Sequence, residues 1–337
     1  MGPSRVGFLA FVEHTGVDGT RSAGLEEGFR LYELAERLGY GAGWVRTRHL
    51  EAYLSAPFPF FAALAQRTER IAFGTSVIPI RYENPVRLAE EAATTDLLTG
   101  GRLHIGLSGG YADGEALFGP VFGPIDRPFD EEVDARLRRF LAAVRGETLV
   151  VTETDSPVAP AGTALTALPL SPTLPGRISY GAGRVATAVR TGELGLGLQL
   201  STLATEVTDL GFEGYQAKQI EEYRAAHRAA TGGDGSVSVG RMILPLLRGS
   251  DNEDYAFLIE RDRKRQAARG TPDAPPIDFG IVHKGSPEEI VESLRADVAL
   301  AAADELVVVL PFGHDPAVSR RIVETVAETV LPALRGA

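Results

Sequence analysis

The segment that decides the fold reads Ile71-Ala72-Phe73-Gly74-Thr75-Ser76-Val77, followed by a periodic stretch at residues 85–98 and then by Leu103-His104-Ile105-Gly106-Leu107. The first and third of these stretches are short apolar runs with β-branched or aromatic residues, which is typical of buried strands. Residues 85–98 carry apolar side chains at helical spacing and begin with proline, as many helices do. Because parallel neighbouring strands need a crossover helix, this unit predicts a parallel sheet.

The same alternation extends along the chain in both directions and gives eight strand-helix units. The predicted strands are Val6–Phe11, Ala42–Val45, Ile71–Val77, Leu103–Leu107, Ile178–Tyr180, Leu196–Leu200, Val237–Leu247 and Glu305–Leu310. The predicted helices are Leu25–Leu38, Pro57–Gln66, Pro85–Leu98, Phe129–Val144, Arg184–Thr191, Tyr215–Ala230, Pro287–Ala302 and Pro316–Leu334.

Eight such units favour a (β/α)8 TIM barrel, an α/β fold, as a single domain over residues 1–337. The alternative is a doubly wound open sheet, whose first strand-to-helix turn should carry a GxGxxG phosphate fingerprint. That turn, residues 12–24, has no such motif. The sequence therefore favours the closed barrel.

Three stretches are longer than the connections that a barrel needs. Residues 111–127, an insertion after strand 4, are rich in Gly, Pro and aromatic residues, and the insertion 152–176 is expected to hold a hairpin or an irregular crossing. Residues 248–284, an insertion after strand 7, contain a charged, helix-compatible run at 253–269 and then a breaker stretch at 270–276. We expect this last insertion to be a lid over the barrel.

Composition excludes several classes of function. The net charge of −11 disfavours nucleic acid or an anionic membrane as a partner. The absence of cysteine excludes disulfides, thiolate metal sites and a cysteine nucleophile. The six histidines lack HxH or HExxH spacing, so no metal site is expected. With no apolar run of membrane length and no signal-peptide pattern at the N-terminus, we expect a cytoplasmic protein.

The turn after strand 5, Tyr180-Gly181-Ala182-Gly183-Arg184, is the clearest candidate binding site, because barrel active sites lie at the carboxyl ends of the strands. Its glycines permit close approach of a ligand to the backbone, and Arg184 opens a helix. Helix N–H groups and a guanidinium suit a phosphate. The alternative is that the glycines serve only packing and that Arg184 is solvated.

Other strand ends offer further candidates. His49 follows strand 2 and suits an acid, a base or a hydrogen-bond donor to a bound ring, although a structural role is the alternative. Thr75 and Ser76 are small enough to let a flat ring lie against the backbone, or they serve only the packing of the barrel. His104 lies within a strand, and we expect it to face the helical layer or to fill the core, without a chemical role.

Three blocks of the sequence resemble the bacterial luciferase-like monooxygenases, in their FMN-type branch. The first block runs from Gly39 to His49 and includes Trp44. The second and longest runs through Thr68–Val77, Asn84–Glu91 and Asp96–Gly110, and the third comprises Gly285–Ile290 and Pro311–Leu334. The resemblance covers nearly the whole chain. It implies a (β/α)8 barrel that binds reduced FMN, often supplied by a separate reductase, and uses molecular oxygen to oxidise an organic substrate.

The resemblance also implies roles for single residues. The region of Thr75 and Ser76 is expected to lie against the isoalloxazine ring across a non-proline cis peptide. Ser108, followed by Gly109, corresponds to a position near the oxygen-reactive carbon of the flavin. Residues 180–184, with Thr187 one helical turn on, match the phosphate cradle of the family. The residues predicted to bind cofactor are Thr75, Ser76, Ser108, Gly109, Tyr180, Gly181, Gly183, Arg184 and Thr187.

Two departures from the family pattern affect the predicted chemistry. The family has an acid and two histidines after strand 2, where this chain has Thr47, Arg48 and His49, so a luciferase-type base and light emission are in doubt. The phosphate-binding arginine after strand 4 is Gly109 here, while Arg184 stands where a serine is usual. We therefore predict His49, Arg48 and Ser108 as the catalytic residues and Arg184 as the phosphate ligand.

The expected substrate is a hydrophobic small molecule, such as an aromatic or polyketide-like natural-product intermediate. The predicted pocket residues are Phe11, Tyr53, Phe58, Tyr82, Tyr111 and Phe118. Two alternatives remain open: a deazaflavin-dependent hydride-transfer enzyme and a non-catalytic flavin-binding barrel subunit. By resemblance, the chain is expected to form a homodimer through residues 57–66 and 85–98.

Overall fold

The computed structural model describes residues 3–14, 17–269 and 277–335. Within them, eight parallel strands form a closed barrel in chain order, β1 to β8, in which β8 pairs with β1 and β4 pairs with β5. The strands are β1 Arg5–Ala10, β2 Ala42–Val45, β3 Ala72–Thr75, β4 Leu103–Ser108, β5 Ile178–Gly181, β6 Gly197–Leu200, β7 Val237–Pro245 and β8 Glu305–Val309. The predicted (β/α)8 barrel is confirmed.

Helices surround this barrel and agree closely with the predicted ones. They are α1 Ala23–Arg37, α2 Pro57–Leu64, α3 Pro85–Leu98, α4 Glu115–Phe122, α5 Phe129–Val144, α6 Val185–Glu193, α7 Gly211–Thr231, α8 Asp251–Asp254, α9 Ala256–Ala268, α10 Pro287–Ala296, α11 Val298–Ala301, α12 Pro316–Thr325 and α13 Leu331–Arg335. The predicted helix 287–302 is divided at Asp297, whose carboxylate caps α11 by accepting from the amides of Ala299 and Leu300. The predicted helix 316–334 is interrupted by a π-helical turn at Val326–Val330.

Side chains alternate along the strands between the helical layer and the barrel interior. Phe8 and Val45 face outward into the main hydrophobic core, whereas Leu9, Trp44 and Val309 pack together inside the barrel. The indole Nε1 of Trp44 donates a hydrogen bond of 3.1 Å to Glu305.

His104 packs edge-on against this indole, with ring centroids 5.7 Å apart. It therefore fills the interior of the barrel, which is the second of the two positions expected for it. Burial lowers the pKa of His104 to about 4, which leaves the imidazole neutral at neutral pH.

The insertion after β4, residues 111–127, contains a helix that the sequence analysis did not predict. A short 3-10 turn, Ala112–Gly114, leads into α4. The guanidinium of Arg81 is fully buried, bonds the carboxylate of Glu115 and donates to the carbonyl oxygen of Gly123 over 2.7 Å. These bonds hold α4 against the turn after β3. The glycine and proline inside α4 hid the helix from sequence analysis.

The insertion at 152–176 contains part of a small antiparallel hairpin, Val150–Val151 paired with Ala164–Leu165, as expected. The insertion after β7 carries α8 and α9, which agrees with the helix-compatible run at 253–269. The breaker stretch at 270–276 lies outside the described residues. Beyond it, the strand Val282–Gly285 pairs in parallel with the carboxyl-terminal end of β7, residues 242–245. Lys284 of this strand forms an ion pair of 2.9 Å with Asp262 of α9.

None of the helices in the described ranges combines the length and the apolar character that a membrane span requires.

Candidate active site at the barrel mouth

Thr75, the last residue of β3, joins the ends of β3 and β4 at the mouth of the barrel. Its hydroxyl donates to the carbonyl oxygen of Gly106 and accepts from the amide of the same residue, both over 2.9 Å. The side chain thus takes the place of the next ladder bonds between β3 and β4, and the predicted strand ends two residues early. Because the single proton of this hydroxyl is already donated to Gly106, the side chain of Thr75 has no hydrogen to donate to a ligand.

The peptide bond between Ser76 and Val77, directly after β3, is cis, as the family resemblance implies. Two neighbours hold it in place. The hydroxyl of Thr47 donates to the carbonyl oxygen of Val77 over 2.6 Å, and the amide of Ser76 donates to Val45 over 2.8 Å. On the other side lies Gly181, where an added Cβ would come 3.2 Å from a Val77 methyl group. The ends of β2, β3 and β5 therefore meet at this turn.

The end of β4 presents bare backbone beside a buried phenol. A Cβ at Gly109 would lie 3.3 Å from Val133 and 3.4 Å from the hydroxyl of Tyr180. Burial raises the pKa of Tyr180 well above its ordinary value, with a smaller contribution from Asp130, so this phenol is neutral. Ser108 is half-buried and lies in register with Pro79. The predicted residues of β4 and β5 are thus brought together.

The turn after β5 places Arg184 at the N-cap of α6, with its side chain exposed. Within the described part of the chain, no carboxylate lies within 4.0 Å of its guanidinium nitrogens. Gly183 is needed for packing, because a Cβ there would come 2.7 Å from the hydroxyl of Thr205. Thr187 is half-buried one turn further along the helix. This geometry accommodates the predicted phosphate role and also the packing role of the glycines.

Sequence analysis missed two residues beside this turn, Tyr215 and Glu206. The hydroxyl of Tyr215 accepts a hydrogen bond of 3.1 Å from the amide of Val185, the first residue of α6, and donates to the carboxylate of Glu206. Burial and the neighbouring carboxylate raise the pKa of Tyr215 to about 12. In the sequence, Tyr215 is one more residue of an amphipathic helix and Glu206 one acid in a loop, so nothing indicated the pair.

The predicted catalytic residues after β2 point to different neighbours. Nε2 of His49 lies 3.6 Å from a carboxylate oxygen of Glu83, and its ring packs edge-on against Phe122 with centroids 5.0 Å apart. Arg48 forms an ion pair of 3.2 Å with Glu51. His49 thus has an acidic partner and an aromatic wall, neither of which was predicted.

Four of the six predicted pocket residues fall into two aromatic groups, and Tyr111 and Phe58 lie outside both. Phe11 contacts Tyr53 and Phe312, with centroid distances of 5.9 and 4.8 Å. Across the mouth, Tyr82 contacts Phe118 and Phe122 at 4.8 and 5.1 Å. Tyr111 is 57% exposed and hydrogen-bonds Arg46.

Phe58 lies elsewhere. It is buried in α2 and lines a groove between α2 and α3. Helical periodicity placed it correctly in a helix but carried no information on which neighbouring helix it faces.

Known proteins resemble this chain along most of its length. It is 29% identical to limonene 1,2-monooxygenase of Rhodococcus erythropolis over 316 residues, covering 86% of this chain and 76% of that enzyme. It is 32% identical to the oxygenase component of flavin-dependent trigonelline monooxygenase of Acinetobacter baylyi over 108 residues, covering 32% of this chain. That match spans only 30% of the length of the trigonelline enzyme.

Solved structures share the fold at lower identity. The oxygenating constituent of 3,6-diketocamphane monooxygenase of Pseudomonas putida, solved with FMN, has a TM-score of 0.70 at 16% identity and covers 97% of this chain and 98% of its own. An F420-dependent secondary alcohol dehydrogenase has a TM-score of 0.67 at 14% identity and covers 99% of each chain. The model of the luciferase-like monooxygenase family matches residues 4–305. The chain belongs to the luciferase-like monooxygenase family.

Proposed function

We propose that this chain is an FMN-dependent monooxygenase, which uses reduced FMN and molecular oxygen to oxidise a hydrophobic small organic molecule. The observation that carries the proposal is that the ends of β3, β4 and β5 meet at the barrel mouth with glycine at two of them, Gly109 beside the hydroxyl of Tyr180 and Gly181 beside Val77. Without side chains of their own, these two positions leave backbone against which a flat ring system can lie.

The phosphate of FMN is assigned to the turn after β5. Arg184 is exposed and has no carboxylate partner within ion-pair distance in the described part of the chain, and Thr187 adds a hydroxyl one turn on. A dianionic phosphate there gains a charge-assisted hydrogen bond and the favourable end of the α6 dipole. The carboxylate of Glu206 would repel a phosphate bound beside it. We therefore propose that the side chain of Glu206 changes conformation when FMN binds, so that the hydroxyl of Tyr215 donates to the phosphate instead.

Bound reduced flavin supplies the electrons for oxygen activation, and the protein supplies binding, orientation and proton handling. His49 is the residue that moves a proton at Nε2, which lies 3.6 Å from a carboxylate oxygen of Glu83. Ser108 offers a hydroxyl at the end of β4. The aromatic groups around Phe11 and Tyr82 line the substrate space and exclude water, and α9 acts as a lid, since Arg261 lies over Phe312 at 5.9 Å.

Two partners complete the proposal. A separate reductase supplies reduced FMN, as the name of the trigonelline relative, an oxygenase component, suggests. The chain forms a homodimer through α2 and α3, whose groove is bordered by Leu168, a leucine that is 68% exposed; Leu98 at the end of α3 is 60% exposed. Light scattering of the purified protein is the measurement that checks the dimer.

The test is an anaerobic titration of the purified protein with reduced FMN, followed by addition of oxygen and measurement of oxygen uptake and absorbance. Tight binding with oxygen uptake is the expected result. Binding of the reduced deazaflavin F420 in preference to FMN would assign the chain to the hydride-transfer branch that the F420-dependent structural relatives represent. Binding of FMN without oxygen uptake, with and without candidate substrates, would indicate a non-catalytic barrel subunit.

A further inference from the structure

Arg46 lies at the carboxyl end of β2 and has no part in the function proposed above. Its amide donates to the carbonyl oxygen of Ala10 over 3.1 Å, so the ladder between β1 and β2 continues through this residue. Trp44, two positions earlier, packs inside the barrel against Leu9, while Val45 faces the helical layer. The alternation of a strand therefore directs the side chain of Arg46 into the barrel mouth.

This guanidinium has a neutral partner and lacks a charged one. It hydrogen-bonds Tyr111. Among the residues that the structure describes, no carboxylate lies within 4.0 Å of Arg46. Arg46 is half-buried, and this partial burial lowers its pKa, because its charge is partly withdrawn from water. Pairing with an anion would stabilise such a cation.

The charges around Arg46 do not cancel. Arg48 lies close enough to repel it, and Glu51, an acid near both of them, is bound to Arg48 over 3.2 Å. The carboxylate of Glu51 is therefore paired with Arg48 and not with Arg46. Thr47, between them, is neutral and hydrogen-bonded to Val77. Within the described residues, the guanidinium of Arg46 therefore has no ion-pair partner beside β2.

The surroundings of this charge are aromatic. Tyr111 follows β4 and interacts with it, and Phe11, which follows the neighbouring strand β1, contacts Tyr53 with ring centroids 5.9 Å apart. An inorganic ion would leave these rings uncovered. A ligand that joins a carboxylate to an apolar body would pair the charge and cover the rings together.

We propose that Arg46 binds the carboxylate of an organic acid, so that the substrate of this enzyme is an aromatic or otherwise apolar carboxylate. The inference rests on the proposed function, because it names the substrate class of the same barrel mouth. The guanidinium supplies two parallel N–H donors to the carboxylate, and Tyr111 adds the phenol that already contacts it.

The experiment compares benzoate with benzamide, which has the same shape and no charge, on the flavin-free protein. Trp44 is the single tryptophan of the chain and lies two residues from Arg46, so its fluorescence reports binding. We expect benzoate to bind at least about tenfold more tightly than benzamide, a difference of about 1.4 kcal/mol. Arg46→Gln should abolish this preference, and Arg46→Lys should keep part of it. Arg70→Gln, which changes a 71% exposed arginine at the opposite end of the barrel, should leave it intact.

Equal binding of benzoate and benzamide by the unmodified protein would overturn the proposal, as would a preference that survives in Arg46→Gln. A parallel titration with oxidised and reduced FMN separates this outcome from failure of the proposed function. If Arg46→Gln selectively weakens reduced FMN and leaves the benzoate preference unchanged, the arginine compensates the flavin and not a substrate. If the protein binds no FMN but prefers benzoate through Arg46, the proposed cofactor fails and the anion site stands.

Discussion

The hydroxyl of Thr47 donates a hydrogen bond of 2.6 Å to the carbonyl oxygen of Val77, and this bond ties the end of β2 to the turn that follows β3. Thr47 stands where related sequences are expected to carry an acid. In this chain the residue at this position is neutral and buried, and its hydroxyl stabilises the turn after β3 at the barrel mouth. Loss of the acid therefore changes the chemistry at this position without leaving the turn unsupported.

Thr47→Val should destabilise the protein by about 1–3 kcal/mol, because it leaves the buried carbonyl of Val77 without a donor while keeping the shape of the side chain. Urea unfolding measures the loss. Thr47→Ser keeps the hydroxyl and should cost less. Equal destabilisation by the two variants would mean that packing of the threonine methyl, and not the hydrogen bond, holds this turn.

Gly181→Ala should weaken FMN binding by about tenfold, which corresponds to a loss of about 1.4 kcal/mol of binding free energy. The added Cβ would lie 3.2 Å from a Val77 methyl group and would stand on the proposed ring surface. Gly41→Ala is the control, because a Cβ there has 3.7 Å to its nearest neighbour. If the FMN affinity of Gly181→Ala is unchanged, the flavin ring does not lie on this surface.

Arg184→Ala should weaken FMN by about tenfold or more and leave riboflavin unaffected, because hydrogen bonds to charged groups contribute about 1.5–3 kcal/mol and only FMN carries the phosphate. Fluorescence quenching of the two flavins measures both affinities. Arg190→Ala, at the far end of α6 and paired with Asp134, is the matched control. Similar losses for FMN and riboflavin would refute the phosphate role.

Sequence patterns predicted the fold well because the barrel depends on local periodicity. The bounds of α3 and α5 agree with the predicted helices to the residue, and each of the eight barrel strands overlaps its prediction. The errors lie where side chains override periodicity. Thr75 ends β3 through its hydroxyl, Asp297 divides a helix by capping the next one, and the Arg81–Glu115 pair holds a helix that glycine and proline disguised.

The site was less predictable, because its contacts join residues far apart in sequence. Family motifs located the ends of β2 to β5 but gave no sign of the Tyr215–Glu206 pair or of Glu83 beside His49. Phe58 and Tyr82 were both predicted to line the pocket, although Phe58 lies in a predicted helix and Tyr82 in a turn after a strand. Only the three-dimensional fold separates them, with Phe58 between helices and Tyr82 in the aromatic group at the mouth.

His49→Ala should reduce turnover by about a hundredfold, the lower range for loss of a general acid or base, and change flavin affinity much less. Steady-state oxygen uptake and flavin titration measure the two effects. His227→Ala is a control for stability, because that buried histidine of α7 hydrogen-bonds the carbonyl oxygen of Gly233 and belongs to a different part of the barrel from His49. If both variants only lower the unfolding midpoint and leave turnover per folded molecule unchanged, His49 is structural.

Glu305→Gln should make the stability of the protein less dependent on pH. Burial raises the pKa of Glu305, so its contribution to stability is complete below the ordinary pKa of the free carboxyl and is lost as pH rises through the higher, folded value. The glutamine oxygen still accepts from Trp44 and carries no charge. In urea unfolding at pH 5 and pH 8, the free energy of unfolding of the variant relative to that of the unmodified protein should be greater at pH 8 than at pH 5. Glu69→Gln, at an 86% exposed carboxylate, should show no such gain, and a parallel change in both variants would contradict the assignment to Glu305.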